Sequence, residues 1–417
     1  MSQPNHLGKA IARVVDADNC SGCGGCLLAS ARVQMSFSDQ GYMRPTVSGN
    51  TDRHQDRIET AHFRQICPGR NVTAPHRHDL AATNEVFGTY LKAWTAYASD
   101  TEIRHHGSSG GVLTAVQLFM LQKGGANHVV GTAMSSASPS TTVPVKLNLA
   151  CDVRSSAGSR YAPSATLAAV DSDVRSNQVV VCKPCEASAL RAHLNVRDTA
   201  LSNVVDEPLI LSFFCAGVPS QTATDRLVTD LGIPSADVRS VKYRGDGWPG
   251  QFSVESTSGS KKTMSYDESW GSHLGKTVQW RCKICVDGTG GHADISVGDY
   301  WESDERGFPV FENADGNSIL LARTARGLGV IEQMIDAGVL NVNPVTVETA
   351  EKLQPLQTLR KRTLAGRLAG RVGAGYRIPI YRGYGLTRLQ FANPKSFPRA
   401  FMGTLARSRQ SRKKTGE

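Results

Sequence analysis

Asn19-Cys-Ser-Gly-Cys-Gly-Gly-Cys26 sets Cys20, Cys23 and Cys26 in a Cys-x-x-Cys-x-x-Cys run, and a distant Cys67-Pro68 offers a fourth thiol. That spacing is a ferredoxin-like signature for a 4Fe-4S cluster. Three thiolates drawn from seven consecutive residues require a backbone that curls round the metal. Gly22, Gly24 and Gly25 permit the curl and expose amide N–H groups that can bond to cluster sulfides. Structural zinc sites use paired Cys-x-x-Cys knuckles instead, so the triple run with a remote Cys-Pro favours iron. The pattern predicts an N-terminal ferredoxin-like iron-sulfur segment over residues 1–80, where Cys, His and Asp/Asn occur with little periodicity and a cluster would organise loops.

The chain holds ten cysteines in 417 residues. Cys182-Lys-Pro-Cys185, the isolated Cys215 and Cys282-Lys-Ile-Cys285 form a second, looser set. Its spacing leaves three readings equally open: a second cluster, a zinc site with four thiolates, or unrelated buried thiols. Cys151 has no cysteine neighbour and reads as a packed core residue. Disulfides are a poor alternative for so many thiols. The N-terminus has no apolar h-region, and no stretch approaches the ~18 apolar residues of a membrane span. These features predict a soluble, cytoplasmic protein with reduced thiols.

A hydrophobic content of 40% is ample for a core, and the length suggests two or three domains. Charge is unevenly spread. Residues 341–417 carry 16 Lys/Arg against 3 Glu, a net of +13, so that with +10 for the whole chain the remainder sums to −3. The patterning divides the chain into an iron-sulfur segment over 1–80, an α/β body over 81–340 and a basic C-terminal extension over 341–417.

Within the body, residues 111–123 read as a largely buried helix stopped by Gly124-Gly125. Apolar runs at His128–Met134, Gln178–Cys182, Leu209–Phe214 and Ile319–Leu321 read as buried strands. Helices are expected at 186–194, 219–231 and 326–338, and antiparallel strands over 237–266 around Gly245-Asp-Gly247. Alternating strands and helices predict an α/β (mixed α+β) fold.

Arg104-His-His-Gly-Ser-Ser-Gly-Gly-Val112 stands directly before the first strong helix. Its glycines and serines suit a turn that meets a phosphate or flavin, and equally an ordinary capped helix entered through a loop. Gly271-Ser-His-Leu-Gly275-Lys-Thr277 imitates a P-loop but has one residue too few between its glycines. Gly366, Gly370, Gly373 and Gly375 fail as a dinucleotide signature, and His76-Arg-His78 and His105-His106 read as solvated or phosphate-facing histidines rather than metal ligands.

In chain order, the Cys run, Cys-Pro, Ser108-Ser-Gly-Gly-Val112, Gly158-Ser-Arg-Tyr161, Lys183-Pro-Cys185, Phe214-Cys215, Tyr243-Arg-Gly-Asp-Gly-Trp-Pro-Gly250, Cys282-x-x-Cys285 and Ala293-Asp-Ile-Ser-Val-Gly-Asp299 resemble the coenzyme F420 hydrogenase/dehydrogenase beta subunit family. The resemblance spans roughly residues 15–345. It implies a flavoprotein that relays electrons between FAD and two 4Fe-4S clusters. By the same resemblance Cys185, Cys215, Cys282 and Cys285 would ligate the second cluster, with Cys182 a bystander where relatives commonly have glycine. It also turns Gly107, Ser108, Ser109, Gly110, Gly111, Arg160 and Tyr161 into FAD contacts, with Lys183 or Arg160 beside the flavin pyrimidine edge.

The implied activity is oxidation or reduction of an organic cofactor or small molecule, possible substrates including coenzyme F420, with a ferredoxin-like protein as the redox partner. Tyr161, His106 and Asp299 are the candidate proton donors. Two other readings compete: a family member working beside surface-polysaccharide assembly, and a metal-stabilised nucleic-acid-binding protein driven by the basic segment. Few aromatics interleave with those charges and no binding module is recognisable, which counts against nucleic acid. The same charges would serve an acidic redox partner or an anionic membrane surface. Oligomeric state is not legible in the chain.

Overall fold

The computed structural model describes residues 5–75, 81–171, 177–198, 207–300 and 315–415. At its centre is an eight-stranded sheet. From one edge it runs Leu340–Pro344, Lys92–Ala98, Ser318–Ala322, Ile295–Asp299, Leu209–Phe213, Gln178–Cys182, His128–Met134 and Thr142–Leu147. The four strands from Ile295–Asp299 to His128–Met134 pair in parallel, and the pairings toward both edges are antiparallel. The expected α/β class is thus present, and each apolar run read as a buried strand is a strand of this sheet.

The central strands are rich in apolar residues because helices cover them. Val179, Val180, Leu209, Ile210, Leu211 and Ile295 are all completely buried. Helix Val112–Gln122 packs beneath the sheet with Val112, Ala115, Val116 and Phe119 in the main core. Gly111, at φ +71°, opens that helix in the left-handed region that glycine tolerates. Helix Pro184–Asp198 follows the strand Gln178–Cys182, and helix Ala325–Asp336 joins two strands of the antiparallel side. The expected antiparallel unit is Val238–Lys242, Gln251–Ser256 and Lys261–Ser265, a three-stranded sheet with its own core around Tyr243 and Phe252.

Residues 1–80 depart from the expectation of metal-organised loops. Helices His6–Asp16 and Arg53–Ile66 flank a hairpin of Val33–Phe37 with Met43–Val47. Their apolar faces bury Leu7, Ile11, Val14, Phe63 and Ile66 in one cluster. The segment therefore has a hydrophobic core of its own beside the cysteines.

Residues 341–415 also have defined positions. Their first strand is an edge of the large sheet, and Val347 and Ala350 join a core cluster with Phe87 and Ile319. Helices Pro355–Arg362, Leu364–Gly373 and Ser396–Thr415 then fold back over the turn that carries Cys282 and Cys285. Gly366 and Gly370 are spacers in this packing: a Cβ on them would stand 2.9 and 2.7 Å from the carbonyls of Phe397 and Phe401. No helix among the described residues is long and apolar enough to cross a membrane.

Candidate functional site

Cys20, Cys23, Cys26 and Cys67 line one cavity, together with Ile11, Met35, Phe63 and Pro68. The run curls as its glycines allow, with Gly22 at φ +69° and Gly24 at +74°. The amides of Gly22 and Gly25 donate to the sulfurs of Cys20 at 3.4 Å and Cys23 at 3.5 Å. Gly25 has a second reason to be glycine, since a Cβ there would stand 2.7 Å from that of Ala189. Burial pushes the Cys23 thiol up to about 11, and burial with the neighbouring Cys23, Cys20 and Cys67 sulfurs pushes Cys26 well above the ordinary range. The polypeptide alone therefore favours four protonated thiols here.

The second set assembles at the carboxyl ends of two adjacent parallel strands. Cys185 lies in the first turn of the helix that follows Gln178–Cys182, and Cys215 lies just past Leu209–Phe213. The short helix Trp280–Lys283 and the turn after it bring up Cys282 and Cys285. Crevices outside the carboxyl ends of parallel strands are where α/β sheets place their ligands. Burial and the nearby Cys282 push Cys215 up to about 12, and burial with Cys23 and Glu186 pushes Cys185 well above the ordinary thiol value. Cys23 and Cys185 pack in one cluster, which sets the two groups of thiols side by side. Among the described residues no group of three Cys, His, Asp or Glu side chains is arranged to hold a single metal ion.

Cys182 is buried in its strand among Val130, Val180 and Leu190. Cys151 corrects the expectation of a packed core residue. It is exposed, in a short helix entered from the exposed Leu149.

Cations surround the second set. Lys183 is buried, its Nζ donating to Glu186 Oε1 at 2.6 Å and Ser164 Oγ at 2.8 Å. Burial opposes its charge, but Glu186 and the Cys185 thiol outweigh that and raise it. Arg360 donates to the Cys215 carbonyl at 2.8 Å, and Lys361 to that of Val286 at 2.7 Å. Burial lowers Lys361 to about 8. Arg281 directly precedes Cys282 and reaches the first set, donating to the Pro68 carbonyl at 2.9 Å.

A third locale gathers most of the other predicted residues. Ser108 Oγ accepts from the amide of Ser159, Ser109 Oγ donates to the Asn317 carbonyl at 2.5 Å, and the Gly110 amide donates to Ser318 Oγ at 2.9 Å. Gly107 is the residue at the end of helix Thr101–His106, in extended conformation. Gly247 donates to the His105 carbonyl at 2.9 Å, and His106 Nδ1 lies 2.8 Å from Asp246 Oδ1, so the turn 245–250 closes against this loop. Arg244 is buried and donates to Asp299 Oδ2 at 2.6 Å while lying over the rings of Trp248 and Tyr266. Its Nη2 has no hydrogen-bond partner among the described residues. Tyr161 packs on Trp270 with ring centroids 4.9 Å apart, and half-buried Arg160 makes no hydrogen bond among the described residues. Burial holds Arg160 below the usual guanidinium range.

Asp299 and His106 are thus engaged by Arg244 and Asp246, and Tyr161 lies in the same neighbourhood. Lys183 stands instead with the second thiols. His76 and His78 fall outside the described residues. Sequence reasoning passed over Arg244, Arg281, Arg360 and Glu186, and the only local signal was a cation on each side of Cys282.

Residues 93–171 match the family model described as coenzyme F420 hydrogenase/dehydrogenase, beta subunit N-term, and residues 176–348 match that of its C terminus. Coenzyme F420 hydrogenase subunit beta of Methanococcus voltae is 27% identical over 268 residues, which cover 62% of this chain and 86% of that protein. Its namesake from Methanothermobacter thermautotrophicus is 24% identical over 270 residues, with the same coverage. A chain of the F420-reducing [NiFe] hydrogenase complex from Methanosarcina barkeri shares the fold at a TM-score of 0.50 and 21% identity, covering 68% of this chain and 95% of its own. The run at Cys20–Cys67 and the helices after residue 348 lie outside both family models, whereas the sheet, the third locale and the second thiol set lie within them. The two models follow one another in the order of the chain and together span more than half of it, and the chain belongs to the coenzyme F420 hydrogenase/dehydrogenase beta subunit family.

Proposed function

We propose that this protein is a flavin- and iron-sulfur-dependent oxidoreductase, relaying electrons between a ferredoxin-like partner and an organic cofactor or small molecule, with coenzyme F420 as the leading candidate. The observation that carries the reading is the pairing of two sets of four free thiols, two of them buried and six half-buried, with Cys23 of one packed in a cluster with Cys185 of the other. Eight free thiols gathered in two such sets are suited to ligate metal in a reduced protein.

The residues fit the groups. Cys20, Cys23, Cys26 and Cys67 would hold one 4Fe-4S cluster, and Cys185, Cys215, Cys282 and Cys285 the other. Burial keeps thiols such as Cys23 and Cys215 protonated in the bare chain, and bound iron would supply the positive charge that makes thiolate the stable form. FAD would lie at the third locale against the loop Gly107–Gly111, Arg160 and Tyr161. The unpartnered Nη2 of Arg244 and the unpaired Arg160 are donors suited to its anionic parts. FAD, when bound, supplies the exchange between hydride and single-electron transfer. Asp299 holds Arg244 in place, and Asp246 fixes the His106 ring with Nδ1 toward the carboxylate, leaving Nε2 as a proton-handling atom at the rim.

Anaerobic purification with iron, sulfide and flavin counts and a visible spectrum tests this. About eight irons and one flavin per chain are expected. Zinc without flavin would overturn the reading.

A further inference from the structure

One buried cation serves both thiol sets. Arg281 is covalently next to Cys282 of the second set, and its Nη2 donates to the carbonyl of Pro68, covalently next to Cys67 of the first. The residue is 2% exposed. Its Nε has no hydrogen-bond partner, and no carboxylate pairs with it among the described residues. The ring of Tyr381, fixed by its hydroxyl on the Ile284 carbonyl at 2.6 Å, lies 5.7 Å from the guanidinium carbon.

A buried guanidinium without a counter-anion is costly, and one that cannot shed its proton cannot escape the cost by neutralising. Among the described residues the polypeptide supplies it no anion. Eight thiols at two adjoining centres would, once ligated to metal. We infer that Arg281 is the shared counter-cation of the two centres: a positioning residue whose fixed charge raises the reduction potentials of both clusters and joins them into one relay. This inference rests on the proposed iron-sulfur reading. In a low-dielectric interior a unit charge acts strongly on each added electron, so a cation placed between two centres favours the reduced state of each.

Neighbouring cations provide the controls. Arg44 acts on Cys20 and reaches Gln279 at 3.1 Å, whereas Arg360 is held on the Cys215 carbonyl. The experiment is a potentiometric titration of the anaerobic full-length protein followed by electron paramagnetic resonance, with iron counted in every variant. Arg281→Gln is expected to lower both midpoint potentials, Arg44→Gln only that of the first cluster, and Arg360→Gln only that of the second. Arg281→Lys, which keeps the charge, should hold both near the wild-type values. If the glutamine variant fails to load iron, Arg281→Met, which refills the volume without charge, is read in its place. A shift confined to one cluster, no shift, or an equal fall in the lysine variant would overturn the inference while leaving the clusters in place. Wild-type protein without two clusters would overturn the underlying reading and this inference with it.

Discussion

At the residue scale, the ten cysteines make separable claims. Cys23 belongs to the first set and takes the Gly25 amide on its sulfur, so Cys23→Ala should lose about four irons and keep the flavin, whose locale is built from other segments. Cys285→Ala should lose the other iron and also lower stability, because its set draws ligands from three separate segments. Cys182→Ala and Cys151→Ala should leave iron unchanged. Iron counts on four purified variants decide the matter, and equal loss from Cys182→Ala would break the ligand assignment. The first candidate set was legible because its spacing is local chemistry, and the second only through the family resemblance, its spacing alone leaving three readings open. Their counter-cations were not: the Arg281 contact at Pro68 joins residues 213 positions apart, and nothing in a Trp-Arg-Cys triplet announces it. Cys151 misled because a lone cysteine defaults to the core on composition, while the helix it begins lies at the surface.

Elements were legible where burial was two-sided. Runs such as Val179-Val-Val181 and Leu209-Ile-Leu211 have no polar face, so periodicity was not needed to read them as central strands. The N-terminal helices were missed because polar side chains do part of their structural work. Asp56, in helix Arg53–Ile66, accepts the His6 and Leu7 amides at 2.7 and 3.4 Å, capping the other helix, and takes Arg32 Nη2 at 2.7 Å. Burial opposes its ionisation, but Arg32 and the two amides outweigh that and hold its pKa below the usual carboxylate value. A depressed carboxylate stabilises the fold above its unfolded pKa of about 3.9, and that stability disappears as pH falls through the lower folded value. Asp56→Asn should therefore cost about 2–3 kcal/mol at pH 7 and progressively less below about pH 4, read by denaturant titration at both pH values. Gly366 and Gly370 were dismissed as a nucleotide signature without their true role being apparent, because helix packing depends on a partner thirty residues onward. Gly370→Val drives a side chain against the Phe401 carbonyl and Thr404, and should lower stability by about 1–3 kcal/mol while leaving the cysteines in place. An unchanged melting temperature would contradict that packing.

For the molecule as a whole, the basic segment has two faces. Inward, Arg371 is completely buried, donates to the Ala17 carbonyl at 2.9 Å and Asp18 at 3.2 Å, and lies over the rings of Trp280 and Tyr376. With Arg360 and Lys361 it fixes the C-terminal helices over both thiol sets. Charge counting could not separate these buried cations from solvated ones, since the count carries no direction. Outward, Arg399 and Arg409 are exposed on the last helix, and an electron partner of the ferredoxin kind presents acidic charge that such a surface would attract. Steering of this type acts on encounter and is screened beyond about 10 Å at 0.1 M salt. Replacing both arginines by glutamate should therefore leave the melting temperature and iron content intact while slowing reduction by an acidic ferredoxin several-fold at low ionic strength. The deficit should shrink as salt rises, and reduction by an uncharged artificial donor should not change. Stopped-flow traces across a salt series read this directly. A double variant that accepts electrons at the wild-type rate at every ionic strength would place the docking surface elsewhere and leave the last helix a purely structural cover.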